Sequence, residues 1–163
     1  MTTPSHNLVC APIGVIRSPY REPAGTPIQP VFAETVECTA ELLPAYAAGL
    51  QDVAKFDRIW LIYWLDRAPP ARLRVVPFRD TTERGVFATR APSRPNPIGL
   101  SCVRLLAVRD NLVTFRGADI LDGTPLLDIK PYVPQFDAFP AARAGWLDTA
   151  TSNHTHADDR FAR

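Results

Sequence analysis

Residues 85–99 constrain this chain most. They run from Gly85 to Gly99 through Pro92, Pro95 and Pro97, and each proline fixes its own φ and removes a backbone donor. No helix survives that spacing. Ala91, Arg94 and Asn96 each precede a proline and are driven towards extended backbone, so the side chains of Arg90, Ser93, Arg94 and Asn96 hang from a stiff scaffold. The apolar lead-in over residues 85–89 reads as a strand delivering into this loop. Two roles fit: a rigid connector, or one wall of a binding site where little entropy is left to lose.

Composition narrows the setting. A chain of 163 residues, 46% hydrophobic and 21% charged, has the balance of a soluble globular protein and enough length to bury one core. We read one domain over residues 1–148, opened by a loose leader at residues 1–7 and followed by a polar, disordered tail at 149–163. The N-terminus lacks an apolar core of signal-peptide type, and no stretch reaches the ~18 uncharged apolar residues of a membrane helix, so a cytoplasmic location is expected. Cys10, Cys38 and Cys102 lie far apart and read as reduced core residues rather than nucleophiles. His6, His154 and His156 sit near the termini with none between, which leaves the body of the fold without an imidazole for a Ser-His-Asp or Cys-His site and without a His-rich metal site. No metal is expected, and the chemistry must run without histidine.

A net charge of +1 excludes a globally basic nucleic-acid binder, but the charge is unevenly spread. Arg67, Arg72, Arg74, Arg79, Arg84, Arg90 and Arg94 face only Asp80 and Glu83 within residues 67–94. Arginine is the planar, bidentate partner of phosphate and carboxylate, so this patch is either an anion or RNA surface or a solvated face paired with acids elsewhere.

Strand signals dominate the rest. Residues 8–17 form an apolar, β-branched run that Pro12 makes an edge or broken strand. Residues 18–30 carry five prolines or glycines and form a long stiffened loop. Residues 31–39 predict a second strand, and residues 42–50 a short helix from Pro44 to Gly49. Residues 56–66 are the strongest apolar run, with two tryptophans; they fit a strand covered on both faces, or a buried helix. Residues 72–78 alternate like a half-exposed strand. Residues 101–108 and 112–118 predict a hairpin with Val113 and Phe115 facing the core, and residues 126–133 a last strand. A short helix over 140–146 would pack Trp146 on the body. Many short strands in one domain favour a mainly β fold, a closed or nearly closed antiparallel barrel with small helical appendages.

Two further motifs are ordinary when taken alone. Asp122-Gly123-Thr124-Pro125 reads as a turn, in which the glycine lets backbone approach a ligand and Asp122 offers a carboxylate to a group such as a ribose diol. Asp128, Lys130 and Tyr132 alternate outward from a half-exposed strand. No glycine-rich dinucleotide loop, Walker loop or His-Glu-x-x-His motif is present.

Taken together, these pieces resemble the TrmO family, also called TsaA-like, over roughly residues 13–146. The resemblance rests on Gly14-Val15-Ile16-Arg17-Ser18-Pro19-Tyr20, Gly25-Thr26-Pro27 with Gln29-Pro30, Phe56-Asp57-Arg58-Ile59-Trp60, Arg94-Pro95-Asn96-Pro97-Ile98-Gly99-Leu100-Ser101, and Leu121-Asp122-Gly123-Thr124-Pro125 with Asp128-Ile129-Lys130-Pro131-Tyr132. Departures from the common pattern are Ile28 in place of arginine, and Ala91 and Ser93 in place of serine and histidine; larger members also carry a C-terminal domain.

The resemblance implies an S-adenosylmethionine-dependent methyltransferase on a β-barrel, typically a homodimer, that methylates the N6 nitrogen of N6-threonylcarbamoyladenosine beside the tRNA anticodon. By the same carry-over, the cofactor touches Gln29, Pro30, Val31, Asp66, Arg67, Arg90, Leu100, Asp122, Gly123, Thr124 and Pro125. The tRNA side is assigned Tyr20, Arg21 and Arg94, with Asn96, Lys130 and Tyr132 near the reacting centre. Methyl transfer needs alignment more than acid or base groups, which suits a fold without histidine. The alternatives are a cofactor-binding regulatory or tRNA-binding module without turnover, and a methyltransferase with another substrate.

Overall fold

In the computed structural model, which describes residues 8–161, alternation of side chains sets the inward face of each strand. The strands are β1 (Gly14–Arg17), β2 (Glu37–Leu42), β3 (Arg58–Trp64), β4 (Arg74–Val75), β5 (Arg84–Gly85), β6 (Ile98–Arg109), β7 (Leu112–Arg116) and β8 (Pro125–Pro131). Six of them close an antiparallel barrel in the order β1-β2-β7-β6-β3-β8, while β4 and β5 pair as a separate ribbon. The expected closed barrel is therefore the architecture found. Its core is made by Ile16, Ile59, Leu61, Val103, Val113, Phe115 and Leu126, all fully buried. Val113 and Phe115 face inward as their alternation requires.

The barrel closes through a short β1–β8 contact, Gly14 opposite Leu126 and Val15 opposite Pro125. Gly14 is needed there. A Cβ at this position would stand 2.3 Å from the Glu41 carbonyl oxygen on the other side of β1.

Several local expectations change where tertiary contacts overrule local pattern. The first strand begins at Gly14 rather than at residue 8, since Pro12 leaves no ladder ahead of it. Residues 31–39 enter their strand only at Glu37; Pro30–Phe32 is a 3-10 turn, with Pro30 at its start. The segment expected as a helix from Pro44 is a 3-10 helix, Pro44–Leu50. In β3 the inward Ile59, Leu61 and Tyr63 are buried, but Trp64 on the outer face is 47% exposed, so this strand is not covered on both faces. Of residues 72–78 only Arg74 and Val75 pair, with Gly85 and Arg84. The lead-in at 85–89 turns into a 3-10 helix at Val86–Ala88 instead of a strand, because the ladder of β5 ends at Gly85.

The C-terminal region is also corrected. Trp146 lies in a 3-10 helix at Gly145–Thr149 and donates its indole N–H to the Ala88 carbonyl at 2.8 Å, so it packs on the loop and not on the barrel. Residues 150–161 are docked rather than disordered. The Gly25 and Ile28 amides donate to the Ala157 and Thr155 carbonyls at 2.9 Å each, and Phe161 is buried edge-on against Phe78. The leader at residues 1–7, with His6, lies outside the described residues. No described helix is long and apolar enough to cross a membrane.

Candidate active site

At one end of the barrel, β3 stops at Trp64 and β6 starts at Ile98, and the chain between them folds back over the opening. A cleft of about 330 Å³ lies there, within the usual size range of small-molecule sites. Its walls come from the loop at 23–29, the segment at 65–69, the loop at 89–94, the start of β6 and residues 119–124.

The proline-rich stretch is held by its own arginine. Arg94 donates from one guanidinium nitrogen to the carbonyls of Thr89 at 2.9 Å and of Val86 and Ala91 at 3.3 Å. Rigidity at 85–99 thus comes from the prolines and from this staple. Arg94 also lines the cleft, while Nη1 of its guanidinium is given to these loop carbonyls. Ser93 is fully buried, and its hydroxyl has no partner among the described residues.

Arg90 reaches across the cleft mouth and donates to Gln29 Oε1 at 2.6 Å, tying two loops 61 positions apart in sequence. On the opposite rim Arg67 donates to the Asp122 carbonyl at 2.7 Å and to Thr124 Oγ1 at 3.3 Å, and lies 3.6 Å from Asp66. Gln29, Asp66, Arg67, Arg90, Leu100 and Thr124 all line the cleft.

Other expected residues stand back from it. Asp122 uses its carboxylate internally, accepting from the Ser18 amide at 3.2 Å and pairing with Arg21 at 2.9 Å, so its oxygens are not offered to a diol. Tyr20 and Arg21 belong to that tether, the Tyr20 carbonyl accepting from the Asp122 amide at 2.7 Å, and neither lines the cleft. Gly123 takes φ of +80°, a left-handed turn that favours glycine, and Pro125 opens β8 behind it. Pro30 and Val31 line a neighbouring groove. Asn96 is exposed on the loop outside the cleft.

Lys130 and Tyr132 are not brought to the cleft. Lys130 is the register partner of Trp60 on the outer face of the barrel and pairs with Asp128 at 3.1 Å. Tyr132 packs against the Trp60 ring, centroids 5.8 Å apart. The period of two along β8 sends these side chains outward while the cleft lies at the strand ends.

Sequence reasoning missed three residues here: Tyr63 and Asp119, which line the cleft, and the buried Ser101 behind them. Tyr63, Ser101 and Asp119 come from β3, β6 and the segment before the Asp122 turn, and make one hydrogen-bonded chain. Ser101 donates to Asp119 Oδ1 at 2.5 Å. Its only hydroxyl proton being used, it accepts from the Tyr63 hydroxyl at 2.9 Å. Burial pushes the Asp119 carboxyl up to about 6, against the Ser101 bond and the Arg90 charge, which pull it down. Burial and Asp119 likewise raise the Tyr63 phenol, which stays protonated as a donor. Gly99 makes this possible: a Cβ there would stand 2.1 Å from the Tyr63 ring. The available signal was Asp119 itself, a carboxylate between Ala118 and Ile120 in an otherwise apolar run.

The cysteines carry no chemistry here. Cys38 is buried with its thiol pushed up to about 11, Cys102 is half-buried and also raised, and Cys10 is exposed rather than in the core.

Comparison with known proteins assigns the fold to a lineage. Residues 15–138 match the tRNA-methyltransferase O N-terminal domain. The chain is 51% identical over 142 residues to a Pyrococcus abyssi protein named "Probable S-adenosyl-L-methionine-binding protein", covering 86% of this chain and 77% of that one. It is 35% identical over 153 residues to the Escherichia coli tRNA (adenine(37)-N6)-methyltransferase, covering 85% of this chain and 63% of the relative. A crystal structure of TrmO from Pseudomonas aeruginosa superposes with a TM-score of 0.73 at 39% identity, over 86% of this chain and 62% of that chain. The chain thus spans less than two thirds of those last two proteins. With a closed barrel and a family match that runs over residues 15–138, the chain belongs to the family of the tRNA-methyltransferase O N-terminal domain.

Proposed function

We propose that this protein is an S-adenosylmethionine-dependent methyltransferase that acts on the N6 nitrogen of N6-threonylcarbamoyladenosine beside the anticodon of a tRNA. One observation carries the chemistry: Asp119, a carboxylate in the lining of the cleft, is held by the Ser101 hydroxyl with the Tyr63 hydroxyl behind it, and burial raises it to about 6.

The cleft suits a zwitterion with a flat base attached. Ile28, Leu65, Leu100 and Leu121 offer apolar wall, Arg67 and Arg90 offer guanidinium, and Asp66 and Asp119 offer negative charge. Gln29, Asp66, Arg67, Arg90, Leu100 and Thr124 are the residues that would hold the cofactor, with Pro30, Val31, Asp122, Gly123 and Pro125 shaping the loops behind them. When bound, the cofactor supplies a methyl group made electrophilic by its sulfonium. The target nitrogen is urea-like and a weak nucleophile, so its proton has to leave as the new bond forms. Asp119 takes that proton on its carboxylate, and the Ser101 and Tyr63 hydroxyls stabilise the ionised form beforehand. Asp119 replaces Asn96, Lys130 and Tyr132 as the residue placed at the reacting centre.

The proposal includes a cytoplasmic homodimer. Trp64 beside the cleft and Ile98 and Leu100 on its rim, each about half exposed on the outer face of β3 and β6, support a second copy seated there. Light scattering on the purified chain should read twice the monomer mass.

Methyl-labelled cofactor and bulk tRNA, followed by mass spectrometry of the nucleosides, test the activity. Label on N6-threonylcarbamoyladenosine is expected. Saturable cofactor binding without transfer would favour a non-catalytic module, and label on another nucleoside a different substrate. Asp119→Asn should lower kcat roughly 100-fold with cofactor affinity, measured by calorimetry, little changed. Ionised Asp119 is the active form, so the wild-type rate should fall as pH drops through about 6; a flat acid limb would remove Asp119 from the step.

A further inference from the structure

Arg58, Arg104 and Arg116 stand abreast on three adjacent strands. Arg58 is the register partner of Arg104 across β3 and β6, and Arg104 of Arg116 across β6 and β7. Their neighbours Ile59, Val103 and Phe115 point into the core, so the three guanidiniums share the outer face. Like charges directly opposite one another weaken a sheet, and here two such pairs are consecutive. Little offsets them. Arg116 meets Glu37 only at 3.5 Å, and among the described residues neither Arg58 nor Arg104 has a carboxylate within 4 Å.

The row forms one side of a groove of about 530 Å³, together with Trp60 and Cys102. Glu34 is the acid lining it, while Asp137 faces Trp60 from α1 (Pro134–Asp137), accepting its indole N–H at 3.4 Å. Gln29 and Arg90 line this groove and the cleft alike, so the groove leads from the mouth of the cleft across the outside of the barrel. Strands lie ~4.8 Å apart, which makes the row ~10 Å long.

We propose that this row is the track for the sugar–phosphate backbone of the RNA strand whose modified base enters the cleft, with Arg90 at the junction and the Trp60 ring as a face on which a flanking base stacks. The assignment rests on the tRNA substrate proposed above. Charge complementarity carries it: strand register sets three arginines side by side against their mutual repulsion, a row of planar donors suited to successive phosphates. Trp60 adds a sequence-tolerant contact, as in grooves that follow single strands.

Arg104→Glu separates the roles of fold and ligand, because a carboxylate between Arg58 and Arg116 relieves the repulsion and leaves the barrel no weaker. Binding of bulk tRNA to the full chain is measured by fluorescence anisotropy across a salt series, with cofactor affinity by calorimetry and thermal unfolding alongside. Expected are a melting temperature equal to or above wild type, unchanged cofactor affinity and RNA affinity reduced at least ~10-fold. In the triple variant R58Q/R104Q/R116Q the slope of log affinity against log salt should fall by roughly 2, about 0.7 for each phosphate that is no longer neutralised. RNA affinity and slope equal to wild type in the folded variants would overturn the proposal. So would wild-type retention on anionic vesicles that Arg104→Glu abolishes while RNA binding persists, which would assign the row to a membrane surface. Wild type that binds RNA through the row but transfers no methyl would instead sink the proposed turnover and leave the track standing.

Discussion

Two groups of arginines behave in opposite ways. The group that is dense in sequence, at 67–94, is spent on the protein itself, except for the exposed Arg72, whose side chain has no partner among the described residues. Arg67 clips the Asp122 turn, Arg74 pairs with Glu83 at 3.0 Å, Arg79 donates to the Ser152 carbonyl at 3.0 Å, and Arg84 pairs with Asp80 at 2.7 Å while lying over the Trp146 ring. Arg94 staples its own loop, and Arg90 alone of the run bridges the cleft mouth. The group that is scattered in sequence, Arg58, Arg104 and Arg116, meets on one face with almost no acid opposite. Linear clustering of charge therefore marked the segment that needed the most internal tethering, because a proline-rich loop has many carbonyls with no ladder donor to satisfy them. Free positive charge arises where strand pairing aligns it.

This contrast can be broken by mutation. Arg94→Ala should show the largest effect, about 3 kcal/mol of stability lost in urea unfolding, since three loop carbonyls lose a charged donor at once; a loss no larger than that of an exposed arginine would mean the loop holds itself. Arg84→Ala should cost about 1 kcal/mol, from a half-exposed ion pair and its packing on Trp146. Asp80 sharpens the point through pH. Its carboxyl is held below the usual range by the Thr82 amide and the Arg84 side chain, with the Thr81 amide adding to both. A depressed folded value means that its contribution is complete above the ordinary carboxylate range and is lost as pH falls through the lowered one. The gap in melting temperature between wild type and Asp80→Asn should therefore be open at pH 7 and closed at pH ~2. Arg104→Ala should have the smallest effect, within about 0.5 kcal/mol and stabilising at low salt, vanishing in ~1 M salt as the repulsion is screened. A clear drop in stability on removing Arg104 would show that the row is structural.

Residues differ in how far they could be read from sequence. Val113 and Phe115 were legible because alternation on a strand needs only the strand's own period. The loop at 85–99 was legible as rigid because proline acts on its own backbone. Arg90 and Gln29 were named from the family pattern, and the fold brings them within 2.6 Å. Lys130 and Tyr132 lie away from the cleft for a physical reason: the same alternation that reads their strand correctly turns them to the outer face, where Trp60 receives them. Asp119 was overlooked because its raised carboxyl depends on burial and on Ser101, eighteen residues away on β6. The tail was misjudged because polar composition says nothing of backbone partners, and the loop at 25–28 supplies three of them.

The sequence by itself determined a barrel of short strands, a proline-stiffened loop and a body without imidazole, since each follows from local backbone chemistry and side-chain periodicity. Only the tertiary structure decided which polar groups meet. It joined Tyr63, Ser101 and Asp119 under the cleft, withdrew Asp122 and Arg94 into the scaffold, and set Arg58, Arg104 and Arg116 abreast. The physical reason is strand register, which brings residues far apart along the chain to contact distance, together with burial, which fixes their charge once they are there.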